Sequence, residues 1–267
     1  MERICGRALG LQFDKNTGSL FIADAYFGLL SVGPKGGLAT SLVSKDQNLP
    51  LKFTNSLDID QTNRVIYFTD SSQRYTRRDH MLVILTNEKT GRLLKYDLES
   101  TNVTVIHNNL TFPNGVTLSQ DGNFLLVAET TSCRIMRFWL KTPKAGTCEV
   151  FADLPGYPDN IKRNQQGEFW VAMYSRKSKI LRWFHSKPWI VYVLSKVIPI
   201  NIIRVTSHIG KGKGEGLAVK LGVNGEILEI LEDVHGKRWK YASEVMERDG
   251  NLWIGSVENN VAIKLKI

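Results

Sequence analysis

Ser119-Gln-Asp-Gly-Asn-Phe-Leu-Leu-Val-Ala-Glu129 is a polar turn followed by an apolar run, and the same unit recurs along the chain. Asp14-Lys-Asn-Thr-Gly-Ser-Leu-Phe-Ile-Ala-Asp24 and Asp60-Gln-Thr-Asn-Arg-Val-Ile-Tyr-Phe-Thr-Asp70 precede it. Asn164-Gln-Gln-Gly-Glu-Phe-Trp-Val-Ala-Met-Tyr174 and Glu247-Arg-Asp-Gly-Asn-Leu-Trp-Ile-Gly-Ser-Val257 follow. The Asp-Gly and Gln-Gly steps supply the positive φ that a tight hairpin turn needs. The runs are rich in β-branched and aromatic residues, which suit strands.

Working outward, each turn has a short strand before it: Ala8–Phe13, Ser56–Ile59, Gly115–Leu118, Asn160–Lys162 and Tyr241–Met246. A third strand follows in Gly91–Tyr96 and Ile135–Leu140, and a fourth in Asn102–His107 and Cys148–Phe151. Four strands per unit, at intervals of roughly 45 to 60 residues, is the spacing of β-propeller blades. The last interval is longer. It holds an apolar stretch, Trp183–Val205, then Gly214–Leu221 and Glu226–Leu231, and reads as a further blade carrying an insertion. The insertion is expected to be helical and to lie over one mouth of the propeller, as a lid or as a plug on a sheet edge. Five turn units predict an all-β fold of about five blades in one domain, 1–267, that starts late relative to a complete ring or forms an open arc.

Composition excludes several classes. With 42% hydrophobic residues the chain can build a core. A net charge of +9 permits anionic partners, but the basic residues are scattered and lack the interleaved aromatics of a single-strand binder, so no nucleic-acid partner is expected. Trp183–Val205 is too broken by lysine and proline to span a bilayer. Met1-Glu-Arg-Ile-Cys-Gly has no apolar signal-peptide region. There is no CxxC among Cys5, Cys133 and Cys148, so no zinc site is indicated. Cys133 and Cys148 flank a turn and read equally as a pair or as two free thiols. No two of the five histidines have metal-ligand spacing.

Seven stretches fit together. They are Cys5–Leu11, Phe53–Asp60, Tyr67–Ser72, Thr90–Tyr96, Phe112-Pro-Asn-Gly115, Pro158–Arg163 and Ser243–Gly250. In combination they resemble the plant strictosidine synthase-like family, itself similar to the animal adipocyte plasma membrane-associated protein, over nearly the whole chain. The most family-like region falls within about 50–140. The resemblance implies a six-bladed propeller with a central site, of which the first blade and an N-terminal signal or anchor are expected to be missing here. It also implies an endomembrane location, vacuole or endoplasmic reticulum. There the sequons at Asn102 and Asn109 would be glycosylation sites.

The repeat phase picks out Asn55, Asn114 and Asp159, each expected just before the inner strand of its unit, where loops converge on the channel. Amide and carboxylate oxygens suit a hard cation such as Ca²⁺. The resemblance sharpens this, because related lactonase- and phosphotriesterase-like propellers hold a divalent metal with a glutamate, two asparagines and an aspartate. Asn55, Asn114 and Asp159 match the last three, and the glutamate is expected in the absent blade. Asp159 is then also a candidate base or nucleophile. Strictosidine synthase itself uses a glutamate before the last Asp-Gly turn, a position that here falls on Ser243, with Glu244 its neighbour. Glu244 would face inward only if the strand slipped by one residue. Three functions follow: a calcium-dependent hydrolase of an ester, lactone or phosphoester, a non-catalytic binding propeller, and an amine–aldehyde condensing synthase that relies on Glu244. In each the partner is a small molecule or another protein.

Overall fold

A computed structural model describes residues 2–43, 49–197 and 214–267. Five antiparallel sheets follow one another along the chain as blades. The first is β1 (Ala8–Phe13), β2 (Leu20–Asp24), β3 (Gly28–Val32) and β4 (Thr40–Ser41). The second is β5 (Thr54–Asp60), β6 (Val65–Asp70), β7 (Gly91–Asp97) and β8 (Val103–Leu110). The third is β9 (Pro113–Leu118), β10 (Phe124–Glu129), β11 (Arg134–Trp139) and β12 (Cys148–Asp153). The fourth is β13 (Gly156–Arg163), β14 (Phe169–Arg176), β15 (Gly216–Leu221) and β16 (Ile227–Asp233). The fifth has three strands among the described residues, β17 (Ala242–Arg248), β18 (Asn251–Ser256) and β19 (Ile263–Lys266).

This corrects one expectation. The long interval is not a further blade. Its insertion sits between β14 and β15, so Gly216–Leu221 and Ile227–Asp233 complete the fourth blade. The insertion does form helices, α3 (Lys179–His185) and α4 (Pro188–Val197), while the remainder of Trp183–Val205, together with His208 and Lys211–Lys213, lies outside the described residues. Two further helices precede these: α1 (Glu2–Cys5), and α2 (His80–Leu85) between β6 and β7.

Apolar side chains are buried between blades rather than on one side of each. Leu57, Ile66 and Phe68 of the second blade pack on Phe21 and Leu29 of the first. Its opposite face sends Val65 and Tyr67 against Val116, Leu125 and Val127 of the third. Every residue of β6 is therefore buried, which is why its sequence is nearly continuous apolar instead of alternating. Similar clusters join the third blade to the fourth and the fourth to the fifth.

The inner strands β1, β5, β9, β13 and β17 pack in succession around the axis. Each departs from regular register near its start. Asn55 and Ser56 lie opposite Thr69 alone, Asn114 and Gly115 opposite Ala128, and Asp159 and Asn160 opposite Ala172. In β1 and β17 the extra residues are Leu9 and Ser243. Such β-bulges re-aim a side chain. Backbones nearly touch beside them: a Cβ on Gly115 would lie 2.6 Å from the Asn160 Cα. Gly115→Ala is thus expected to push two inner strands apart and cost about 1–3 kcal/mol, read as a lower midpoint in urea.

Candidate functional site

The five bulges put one residue per blade at the axis: Leu9, Asn55, Asn114, Asp159 and Ser243. The repeat phase picks out three of these, Asn55, Asn114 and Asp159, and the position of the synthase glutamate before the last Asp-Gly turn falls on Ser243. That phase places Asn55, Asn114 and Asp159 just outside the strands, whereas they lie within them, because the bulge carries the strand on past each site residue.

A repeated hydrogen-bond relay orients the two amides. Asn55 Nδ2 donates to Ser71 Oγ at 2.9 Å, and that hydroxyl donates to the Pro113 carbonyl at 2.7 Å, one residue before Asn114. One blade on, Asn114 Nδ2 donates to Thr130 Oγ1 at 3.2 Å, which donates to the Pro158 carbonyl at 2.7 Å, one residue before Asp159. Each hydroxyl has one proton, already committed to a carbonyl, so it can only accept from the asparagine. This fixes the NH₂ end of both amides. Asn114 spends its donors on Thr130 and Asp159, and its Oδ1 is buried without a hydrogen-bond partner. A buried acceptor left unmet costs about 1–3 kcal/mol, so its retention calls for a reason.

Asp159 is half-buried by surface area but packed round by protein. Desolvation is the main cause of its pKa rising to about 7. The Asn114 amide works against that rise, the nearby Glu244 charge adds to it, and Arg77 lowers it. Glu244 therefore lies within electrostatic reach of Asp159, and it sits 3.6 Å from Lys162 Nζ. A full slip of β17 is not needed for this. The local bulge at Ser243 brings Glu244 into that range while Val245 stays buried against the fourth blade.

Groups that sequence reasoning did not single out also gather at this end. Arg77 pairs with Glu2 at 2.8 Å, and Tyr26 donates to the same carboxylate at 2.8 Å. Burial raises the Glu2 pKa, but Tyr26 and Arg77 outweigh it and the net direction is down. Tyr174 stacks on Tyr241 with ring centres 4.9 Å apart. Burial first, and the charges of Glu258, Tyr241 and Asp159 after it, push the Tyr174 hydroxyl upward. No spacing signal marks any of these, because helix α1, the turn before α2 and the end of β14 meet only in the fold.

Other titratable groups lie away from the amides. Asp70 and Glu129, together with Asp24, are blade-turn hydrogen-bonders. Each ends the second strand of its blade and accepts from the backbone N–H that leads into the first: Arg7, Phe53 and Thr111. Cys133 and Cys148 are free and sit at opposite ends of their hairpin, since Cys148 pairs in register with Phe138. Burial pushes Cys133 up to about 12 and, with Glu129 adding, Cys148 up to about 11, so both stay thiols. His80 opens α2 with Nδ1 at 3.1 Å from the Arg77 carbonyl. Among the described residues no three His, Cys, Asp or Glu side chains cluster as a metal site, so oxygen donors for a cation must include the amides.

Comparison with known proteins follows the same lines. The strictosidine synthase family pattern matches residues 55–143, which contain Asn55 and Asn114. Protein strictosidine synthase-like 10 of Arabidopsis thaliana is 51% identical over 257 residues, covering 96% of this chain and 68% of that protein. Adipocyte plasma membrane-associated protein of Salmo salar is 39% identical over 276 residues, covering 100% of this chain and 64% of that protein. Among solved structures, a chain of a nidogen/laminin complex superposes with a TM-score of 0.63 at 15% identity, covering 97% of this chain and 75% of its own. XC5397, a gluconolactonase from Xanthomonas campestris, superposes with a TM-score of 0.60 at 15% identity, covering 91% of this chain and 67% of its own. At that identity the structural likeness is one of fold.

Proposed function

The chain belongs to the strictosidine synthase-like family, and from that premise we propose that its channel holds a divalent cation, calcium by its donor type, and hydrolyses an ester, lactone or phosphoester. The observation that carries this reading is the orphaned Asn114 Oδ1 beside a desolvated Asp159. Oxygen donors fit a hard cation. Asn55, Asn114 and Asp159 would hold it, and the relay through Ser71 and Thr130 fixes which ends of the amides are free to do so. When bound, such a cation supplies Lewis-acid polarisation of a substrate oxygen and orientation of water. Asp159, near pH 7 in its own titration, is suited to take up or release a proton from that water. Resemblance in fold to a gluconolactonase supports a hydrolytic reading over an amine–aldehyde condensation. In the condensing reading Ser243 occupies the position a catalytic carboxylate requires, and a hydroxyl cannot do that work at neutral pH.

A second reading has its own observation. Of the five axial residues Asp159 alone is charged, and Leu9 is apolar. One carboxylate neutralises half of a dication, and affinity follows charge count. Weak cation binding, with a dissociation constant on the order of millimolar, is therefore expected. With that affinity, a tenfold excess of calcium should raise the melting temperature by about 3–6 °C, and micromolar calcium should not. Asn114→Ala and Asp159→Asn should each abolish the rise. An esterase and lactonase screen of the calcium-loaded chain then tests the chemistry. Absence of any calcium shift in the folded chain would remove the metal from the reading and favour a non-catalytic binding propeller.

The family resemblance also supports an endomembrane, vacuolar or reticular setting. Asn102 immediately precedes β8 and Asn109 lies within it, and both are exposed, as glycan attachment requires.

A further inference from the structure

We propose that the face built by α3 and α4 docks onto an anionic lipid bilayer. Three of the residues of α4, Trp189, Val193 and Val197, recur at four-residue spacing and so share one side of the helix. That side is exposed: Trp189 is 66% and Val197 72% accessible. On α3, Ile180 and Trp183 are exposed as well, at 71% and 51%. Two exposed tryptophans and three exposed aliphatics on adjoining helices form a patch, whereas single exposed apolar residues are ordinary.

Charge identifies the partner. Lys177, Lys179, Arg182 and Lys187 are exposed on the same two helices and the turns that flank them. No aspartate or glutamate occurs between Glu168 and Glu215. Basic residues interleaved with tryptophan and aliphatics suit the boundary of headgroup and acyl chain, with rings inserted and cations against the anionic lipid. No helix among the described residues is long and apolar enough to cross a membrane, so this pair would lie on the surface.

Two hydrogen bonds tie α3 to the fourth blade and to α2. The Ser178 N–H donates to Tyr157 Oη at 3.1 Å, and His185 Nε2 lies 2.8 Å from the Ile84 carbonyl of α2. The position of the patch gives the docking a direction. β14 ends at Arg176, in register with Gly156 at the start of β13, so α3 leaves the fourth blade at the end where Asp159 lies. Docking through this face turns that mouth of the channel toward the bilayer. The proposal rests on these surface residues and is independent of any cation in the channel.

Sedimentation of the full chain with phosphatidylcholine vesicles, with and without phosphatidylserine, tests it. Binding should require phosphatidylserine and weaken at high salt. Trp183→Ala with Trp189→Ala, and separately Lys179→Glu with Lys187→Glu, should each lower partitioning by about tenfold or more. All four positions are exposed, so both variants should melt as the parent does, which separates lost docking from lost folding. Failure of the parent to bind phosphatidylserine vesicles would overturn the proposal. So would equal binding to neutral vesicles, undiminished binding by both variants, or self-association through these tryptophans in place of vesicle binding.

Discussion

Asp159→Asn is expected to stabilise the cation-free chain above pH 7, and to leave it nearly unchanged below pH 4. The folded-state pKa of Asp159 is raised from an ordinary aspartate value to about 7, chiefly by desolvation. The unfolded chain gives up this proton near pH 4, whereas the folded chain keeps it until near pH 7. Between those values the folded state binds more protons, so stability falls as pH rises, and the loss is complete above pH 7. Asparagine keeps the shape and an acceptor for the Asn114 amide but has no charge to desolvate. At about 1.4 kcal/mol per pKa unit, and allowing for the channel water that still reaches the group, the gain at pH 8 is about 2–4 kcal/mol. That is a rise in melting temperature of about 5–10 °C for a chain of this size. Melts of parent and variant from pH 4 to 8 check it. A residue retained at a cost to folding is one kept for function, so the same variant should be more stable and blind to calcium. If the variant is instead less stable at every pH, the carboxylate is a structural group and the cation reading loses its centre.

Much of this was legible before any coordinates. Turn chemistry with a fixed apolar run behind it is local information, and it gave the blades, because a hairpin is decided by its own residues. The three axial candidates came from the phase of that repeat, since one bulge per blade carries each to the axis. The assignment of Gly216–Leu221 failed for a physical reason. A strand that follows a long helical insertion has no local mark telling which sheet it joins; register with β14 decides that, and register is a tertiary fact. The electrostatic reach of Glu244 is likewise not legible in sequence, because strict alternation turns it away from the Ser243 side and only the bulge at Ser243 breaks that alternation locally. The Ser71 and Thr130 relays were invisible for a similar reason. A hydroxyl sixteen residues after its asparagine means nothing until β5 and β6, or β9 and β10, lie side by side.

The opposite response is expected at Asp70, a carboxylate as deeply buried as any among the described residues. Asp70→Ala should lower stability by about 3–5 kcal/mol, read as a fall in the urea midpoint at unchanged slope. Asp70 Oδ1 accepts from the Phe53 N–H at 2.8 Å, and Oδ2 receives the Arg92 guanidinium, which also donates to the Pro50 carbonyl at 2.8 Å. Both ionic side chains are almost without solvent, at 4% and 0% exposure. Burial pushes the Asp70 carboxyl upward, and Arg92 with the Phe53 and Lys52 N–H groups pulls against that without cancelling it. The pair is therefore no net source of stability over an apolar pair. The cost lies in breaking it, because alanine leaves a guanidinium uncompensated in the core and a backbone N–H unmet. Glu129, at the equivalent place in the next blade, supplies the control. Its partner Arg134 is 34% exposed and can turn to water when the carboxylate is lost. Glu129→Ala should thus cost clearly less than Asp70→Ala, although both remove the N–H acceptor that leads into an inner strand. Equal losses at the two sites would assign the effect to that backbone contact alone. A larger loss at Asp70 isolates the stranded arginine, and shows that this carboxylate holds a blade together while Asp159, one ring inward, costs the fold stability.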